Sequence, residues 1–160
     1  MMHTEVMTKT VCIMKKMALI ATGLMLAATG AFALAASQTG ASVKLPDKAQ
    51  QFIRKYFPKA RIIHLEEEKD FLEELTYSVD LSNGFELDFD SKGQWLEVDG
   101  DHSALPEGIV PEKIVSFVKR KHAGEKIVRI ERTRKGYEAE LSDDRELRFK
   151  PDGTFIGYDD

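Results

Sequence analysis

Cysteine is almost missing from this chain: Cys12 is the single one in 160 residues, and it stands ahead of a segment that reads as a secretory signal. The exported remainder therefore has no disulfide, no thiolate metal site and no cysteine nucleophile, so its core alone must hold it together. A basic stripe is missing too. The formal charge is −4, and without the first 36 residues the balance is 20 basic against 26 acidic side chains. Such a chain is repelled by phosphate backbones and anionic lipid, which argues against nucleic acid as a partner and against membrane association after signal cleavage.

A catalytic constellation is the third absence. His64, His102 and His122 are the histidines beyond the signal region, and nearby Ser103 and Ser116 have no nucleophile-elbow or oxyanion glycine context. All three histidines read as surface residues, with His64 pointing outward, and neither an enzyme nor a cofactor is expected. Asp88 to Gly93, with Asp99 at the twelfth place, partly imitates a calcium loop, but Lys92 fills a ligand position and no helices flank it. Glu97, Asp99, Asp101 and His102 form a better cation candidate, since strand alternation would put the three carboxylates on one face. An acidic, solvated strand end is the commoner meaning of that pattern.

What is present begins with Lys15-Lys16, an apolar run from Met17 to Ala36, and Ala33-Leu34-Ala35 as a small-residue cleavage site. This is the layout of a signal peptide cut after Ala35 or Ala36, giving a periplasmic or secreted protein. Met14 resembles a natural start, which would make Met1 to Ile13 an upstream extension. Residues 37–44 are small and polar and read as a flexible leader.

The rest is one pattern written twice. Pro46, Phe52-Ile53 and Arg61-Ile62-Ile63 return 65 positions later as Pro111, Phe117-Val118 and Lys126-Ile127-Val128. Tyr77, Leu81-Ser82, Glu86-Leu87, Phe89, Gly93 and Trp95 return 60 positions later as Tyr137, Leu141-Ser142, Glu146-Leu147, Phe149, Gly153 and Phe155. The change of offset removes five residues from the second copy around Glu67 to Phe71, where Arg134-Lys135-Gly136 stands instead. Agreement of turns, apolar positions and order points to an internal repeat.

Ala49, Phe52, Ile53, Tyr56 and Phe57 make the stripe of an amphipathic helix that starts at Pro46 and ends before Pro58. Ile114, Phe117 and Val118 repeat it after Pro111, but Lys121 and His122 replace Tyr56 and Phe57, so the second helix should bury less. Beyond each helix the period drops to two: Ile63 and Leu65; Tyr77, Val79 and Leu81; Phe85, Leu87 and Phe89. Asn83-Gly84, Ser91-Lys92-Gly93, Asp143-Asp144 and Pro151-Asp152-Gly153 supply hairpin turns.

The expected fold is α+β, with two tandem repeats, 45–101 and 109–160, each a helix followed by a four-stranded antiparallel meander. Each sheet would have one face under its helix and one free. Aromatics on the free face would be binding anchors, with Trp95 and Tyr158 the leading candidates, joined by Tyr77 and Tyr137. The charge runs Glu66-Glu67-Glu68 and Arg129 to Lys135 suggest opposite signs on the two copies, and also fit ordinary solvated surfaces.

The order of these features resembles the β-lactamase-inhibitor-like, PepSY-like family of exported bacterial proteins. Carrying the resemblance are Leu45-Pro46 opening a helix with Phe52-Ile53 and Tyr56-Phe57-Pro58, Tyr77-x-Val79-x-Leu81, Gly84-x-Glu86-Leu87-x-Phe89 and Gly93-x-Trp95. It covers about residues 45–160. It implies tandem helix-plus-meander units laid out like β-lactamase inhibitor proteins, and binding or inhibition of an envelope or secreted protein such as a hydrolase. No catalytic set comes with it.

Overall fold

The computed structural model of the chain describes residues 43–69 and 74–159. The expected signal segment, the possible starts at Met1 and Met14, Cys12 and most of the leader lie outside them. So does part of the first hairpin, where the extra residues of the first copy fall. Among the described residues no helix is long and apolar enough to cross a membrane.

Helix α1 (Asp47–Tyr56) is followed by strands β1 (Ile62–Glu68), β2 (Thr76–Leu81), β3 (Glu86–Asp90) and β4 (Trp95–Asp99). Helix α2 (Glu112–Lys121) then precedes β5 (Ile127–Thr133), β6 (Gly136–Leu141), β7 (Glu146–Phe149) and β8 (Phe155–Asp159). Each helix is entered through a proline, Pro46 or Pro111, both with φ of −54°. Fixed φ and a missing N–H make proline suit a helix start.

The strands form one eight-stranded antiparallel meander in sequence order, not the two sheets expected from the repeat. The join is direct. Glu97, Val98 and Asp99 of β4 pair with Glu131, Ile130 and Arg129 of β5. The Gly100 and Leu105 N–H groups extend the join by donating to the Val128 and Ile127 carbonyls. The linker between β4 and β5, which holds a helix, conceals this pairing from a sequence reader, because short turns mark the β2–β3, β3–β4, β5–β6, β6–β7 and β7–β8 neighbours.

An apolar row crosses the whole sheet: Leu65, Val79, Leu87, Val98, Ile130, Ala139, Leu147 and Tyr158 stand opposite one another in turn. The six in the middle are buried. Both helices cover this side. Phe52 of α1 meets Phe89 edge-on at 5.7 Å, and Phe117 of α2 meets Phe149 edge-on at 5.6 Å. A single core cluster runs through both halves, with Ile109 and Val110 from the linker inside it.

Three local expectations change. A register shift between Ile62 and His64 makes Ile63 an extra residue, 67% exposed, so it does not alternate inward with Leu65. His122 is no surface residue: it follows α2 where Phe57 follows α1, and it is 6% exposed against 4% for Phe57. At this position the second helix is covered as well as the first, with an imidazole in place of a phenyl ring, whereas Lys121 is exposed where Tyr56 is half-buried, so the second helix does bury less there. Asp101 lies beyond β4 in a left-handed conformation (φ 55°), off the strand that carries Glu97 and Asp99.

Candidate functional site

The sheet has a second side, and its composition follows from the register. Immediately beside the apolar row, His64, Asp80, Glu86, Asp99, Arg129, Glu140, Glu146 and Asp159 stand in line across all eight strands. On the row's other flank the line is Glu66, Ser78, Asp88, Glu97, Glu131, Glu138, Arg148 and Gly157. Because strand side chains alternate, both lines point away from the helices. They hold eleven carboxylates against two arginines and one histidine. With strands about 4.8 Å apart, the face is roughly 34 Å wide.

Acid is present in both halves, so the two copies do not carry opposite signs on this face. Arg129 sits where the halves join. Its Nε donates to Glu97 Oε1 at 2.6 Å and lies 4.0 Å from Asp99 Oδ2, while its Nη2 donates to Glu131 Oε2 at 2.9 Å. Ser78 Oγ donates to Asp88 Oδ1 at 2.7 Å, and Arg148 lies 3.8 Å from Asp159. These contacts offset part of the repulsion. Burial, the largest influence, pushes the carboxyl groups of Glu131, Glu138 and Glu140 above their ordinary 4.5. Neighbouring carboxylates add to the rise: Glu97 and Glu138 at Glu131, Asp159 and Glu146 at Glu138, Glu146 and Asp99 at Glu140.

The aromatic candidates lie on the other side. Tyr77 is 8% exposed in the core, opposite Phe89. Trp95, half-buried, also pairs with Phe89; its ring is 6.3 Å from that of half-buried Tyr137 and is covered by the Arg132 guanidinium at 4.2 Å. Tyr158 pairs with Leu147 and brings its hydroxyl within 3.2 Å of His122 Nε2, yet it remains 47% exposed because β8 is the last strand. Trp95 and Tyr158 are therefore not anchors on the free face. The bulge between Asp88 and Phe89 sets Trp95 over the core side, and pairing with buried Leu147 does the same for Tyr158.

The cation candidates are separated. Glu97 and Asp99 are held by Arg129, whereas Asp101 and His102 project into solvent with a mutual distance of 3.7 Å. Among the described residues no group of three or more His, Cys, Asp or Glu side chains is arranged to hold a metal ion. Asp90 caps its own turn, accepting from the N–H groups of Lys92 and Gln94, so the calcium-loop imitation is a plain hairpin. His64 is exposed beside Glu66 at 3.5 Å. Two shallow grooves flank α2, and no histidine lines either.

Sequence reasoning found the carboxylates one run at a time and missed that they share a surface. The signal was available in the polar partners of each apolar alternation, but assembling it needs the β4–β5 join and the bulges.

Residues 75–157 match the family model described as "Putative beta-lactamase-inhibitor-like, PepSY-like". A solved structure of a "putative periplasmic protein of unknown function" from Bacteroides vulgatus is 38% identical, with 73% of this chain and 93% of that one covered and a TM-score of 0.71. A "putative calcium-regulated periplasmic protein" from Bacteroides thetaiotaomicron is 37% identical over 73% of this chain and 91% of that one, with a TM-score of 0.69. Among the curated proteins, none matches.

Proposed function

This chain belongs to the β-lactamase-inhibitor-like, PepSY-like family, and from that membership we propose that it is an exported, non-enzymatic protein-binding domain whose docking surface is the charged face of the sheet. The observation that carries the reading is the pair of charged rows spanning all eight strands on the side that neither helix covers. Such a surface suits a partner rich in lysine and arginine, because complementary potentials steer encounter and fix orientation. An envelope or secreted protein with a basic patch, such as a hydrolase, fits that description.

The periplasmic description of the relatives and the signal-like segment up to Ala36 support export, with cleavage after Ala35 or Ala36. A tandem origin, with a layout like that of β-lactamase inhibitor proteins, is supported by local geometry. Arg61 and Ser82 exchange backbone and hydroxyl hydrogen bonds as Lys126 and Ser142 do. Register shifts fall at matching places, Ile62/His64 with Ile127/Arg129 and Asp88/Phe89 with Arg148/Phe149.

The test is capture of basic envelope proteins by the processed chain, repeated with Glu138→Lys/Glu140→Lys and with Trp95→Ala. Loss of one captured protein with the charge reversals, at low salt, and its retention with Trp95→Ala is the expected result. Capture indifferent to the reversals would sink the reading.

A second reading is a divalent-cation response of the same face. It is favoured by the crowding around Glu131, Glu138 and Glu140 and by the relative described as calcium-regulated. Calorimetric titration with calcium decides it: heat and a raised melting temperature support the reading, and the absence of both rules it out.

A further inference from the structure

The large hydrophobic side chains left exposed among the described residues are Ile62 at 43%, Ile63 at 67%, Ile156 at 53% and Tyr158 at 47%. Ile62 and Ile63 are on β1, Ile156 and Tyr158 on β8, the two edges of the meander. In the other half of the chain, the matching positions are covered. Val128 stands 65 positions after Ile63 and is 2% exposed, with its carbonyl accepting from Gly100. Leu96 stands 60 positions before Ile156 and is half-buried. The difference is one of place: β5 and β4 pair with each other, whereas among the described residues β1 and β8 have a strand on one side only.

We infer that β8 of one copy pairs with β1 of a second copy of this chain, repeating between molecules the β4–β5 join that each molecule contains. The internal join fixes the register. Glu97, Val98 and Asp99 correspond to Gly157, Tyr158 and Asp159; Glu131, Ile130 and Arg129 correspond to Glu66, Leu65 and His64. Gly157 then faces Glu66, Tyr158 faces Leu65, and Asp159 faces His64. Each contact is chemically suited to its place. Tyr158 against Leu65 continues the apolar row, and Asp159 against His64 sets a carboxylate beside an imidazole where Asp99 has Arg129. Glu66 meets a glycine, so the carboxylate pair that Arg129 must bridge inside the chain does not arise between chains. A glycine within a strand weakens it unless another backbone or side chain comes close, and this pairing supplies that neighbour.

An interface joining two different surfaces does not close on itself unless its rotation makes a ring, so the product is an open head-to-tail series or a ring. Unpaired edges are otherwise a hazard that charged residues moderate, and Glu66, Glu67 and Glu68 on β1 keep the association reversible. The inference does not depend on what docks on the charged face.

Directed cross-linking tests it, since the exported chain has no cysteine of its own. Glu66→Cys and Gly157→Cys both suit substitution: Glu66 is exposed, and nothing lies within 4 Å of where a Cβ on Gly157 would stand. Processed protein carrying one change, labelled with a tag of distinct mass, is mixed with protein carrying the other under mild oxidation. The expected result is a mixed disulfide forming several-fold faster than between Glu66→Cys and Lys92→Cys, an exposed turn position away from either edge. The doubly substituted chain should give a ladder of oligomers or a closed ring. Two results overturn the inference: a mixed disulfide no faster than that control, or faster homodimers of Glu66→Cys, which would mean a twofold β1–β1 contact. Circular dichroism of each variant confirms that folded protein is compared.

Discussion

Position 122 brings the repeat and its exception together. His122 occupies the place of Phe57, packs 6.0 Å from Phe117 and meets Tyr158 edge-on at 5.8 Å, but its Nδ1 is buried without a partner. An unmet buried polar atom costs about 1–3 kcal/mol, while the exposed Tyr158 hydroxyl can turn to water. His122→Phe should therefore raise stability by about 1 kcal/mol, read as a higher urea midpoint with unchanged slope. Glycine at 136 presents the opposite case. Its φ is +144°, and an added Cβ would overlap the Phe149 carbonyl oxygen. Gly136→Ala should cost about 2–4 kcal/mol, whereas Gly157→Ala, with open space around it, should be neutral to slightly stabilising in the same titration. Polarity at 122 was plain in the sequence and misleading there, because the ring's burial comes from β8, a contact 36 positions away.

Among the elements, the join between β4 and β5 is the shortest pairing, three residues on each strand where β2 and β3 share five. Arg129 holds it, with its side chain 16% and that of Glu97 14% exposed. Replacing Arg129 with Ala leaves Glu97, Asp99 and Glu131 facing one another with less counter-charge, at a loss of about 2–3 kcal/mol. Two urea transitions in place of one would show that the halves then part. The exposed Arg145–Asp143 pair provides a contrast, and Arg145→Ala should leave the midpoint nearly unchanged. Helices, turns and most strands were legible because each is a local pattern: Pro46 and Pro111, Asn83-Gly84, Tyr77-Val79-Leu81. The β4–β5 pairing was not, since the turn signals at Gly100 to Gly108 look the same whether the next strand returns to the same sheet or begins another.

At the scale of the whole molecule, the apolar row and the charged rows are two readings of one register, and the fold keeps the charged side although the chain is already acidic. Burial of carboxyl groups on that side, with repulsion between them added, sets the pH dependence, and the repulsion sets the salt dependence. Glu138 and Glu140 have raised values when folded, so the folded state holds those protons more tightly than the unfolded chain. Their contribution to stability is complete below the ordinary 4.5 and is lost as pH rises through the folded values. Glu138→Gln and Glu140→Gln should accordingly raise the melting temperature at neutral pH and lose that advantage below pH 4.5. Salt acts on the same repulsion. At about 0.1 M the screening length is about 10 Å, roughly two strand spacings, so sodium chloride should raise the melting temperature of the natural chain and raise it less in the double Gln variant. Calcium chloride at matched ionic strength separates screening from binding. Equal rises mean that the rows only repel, while a larger rise with calcium, lost in the double variant, means that they hold the ion.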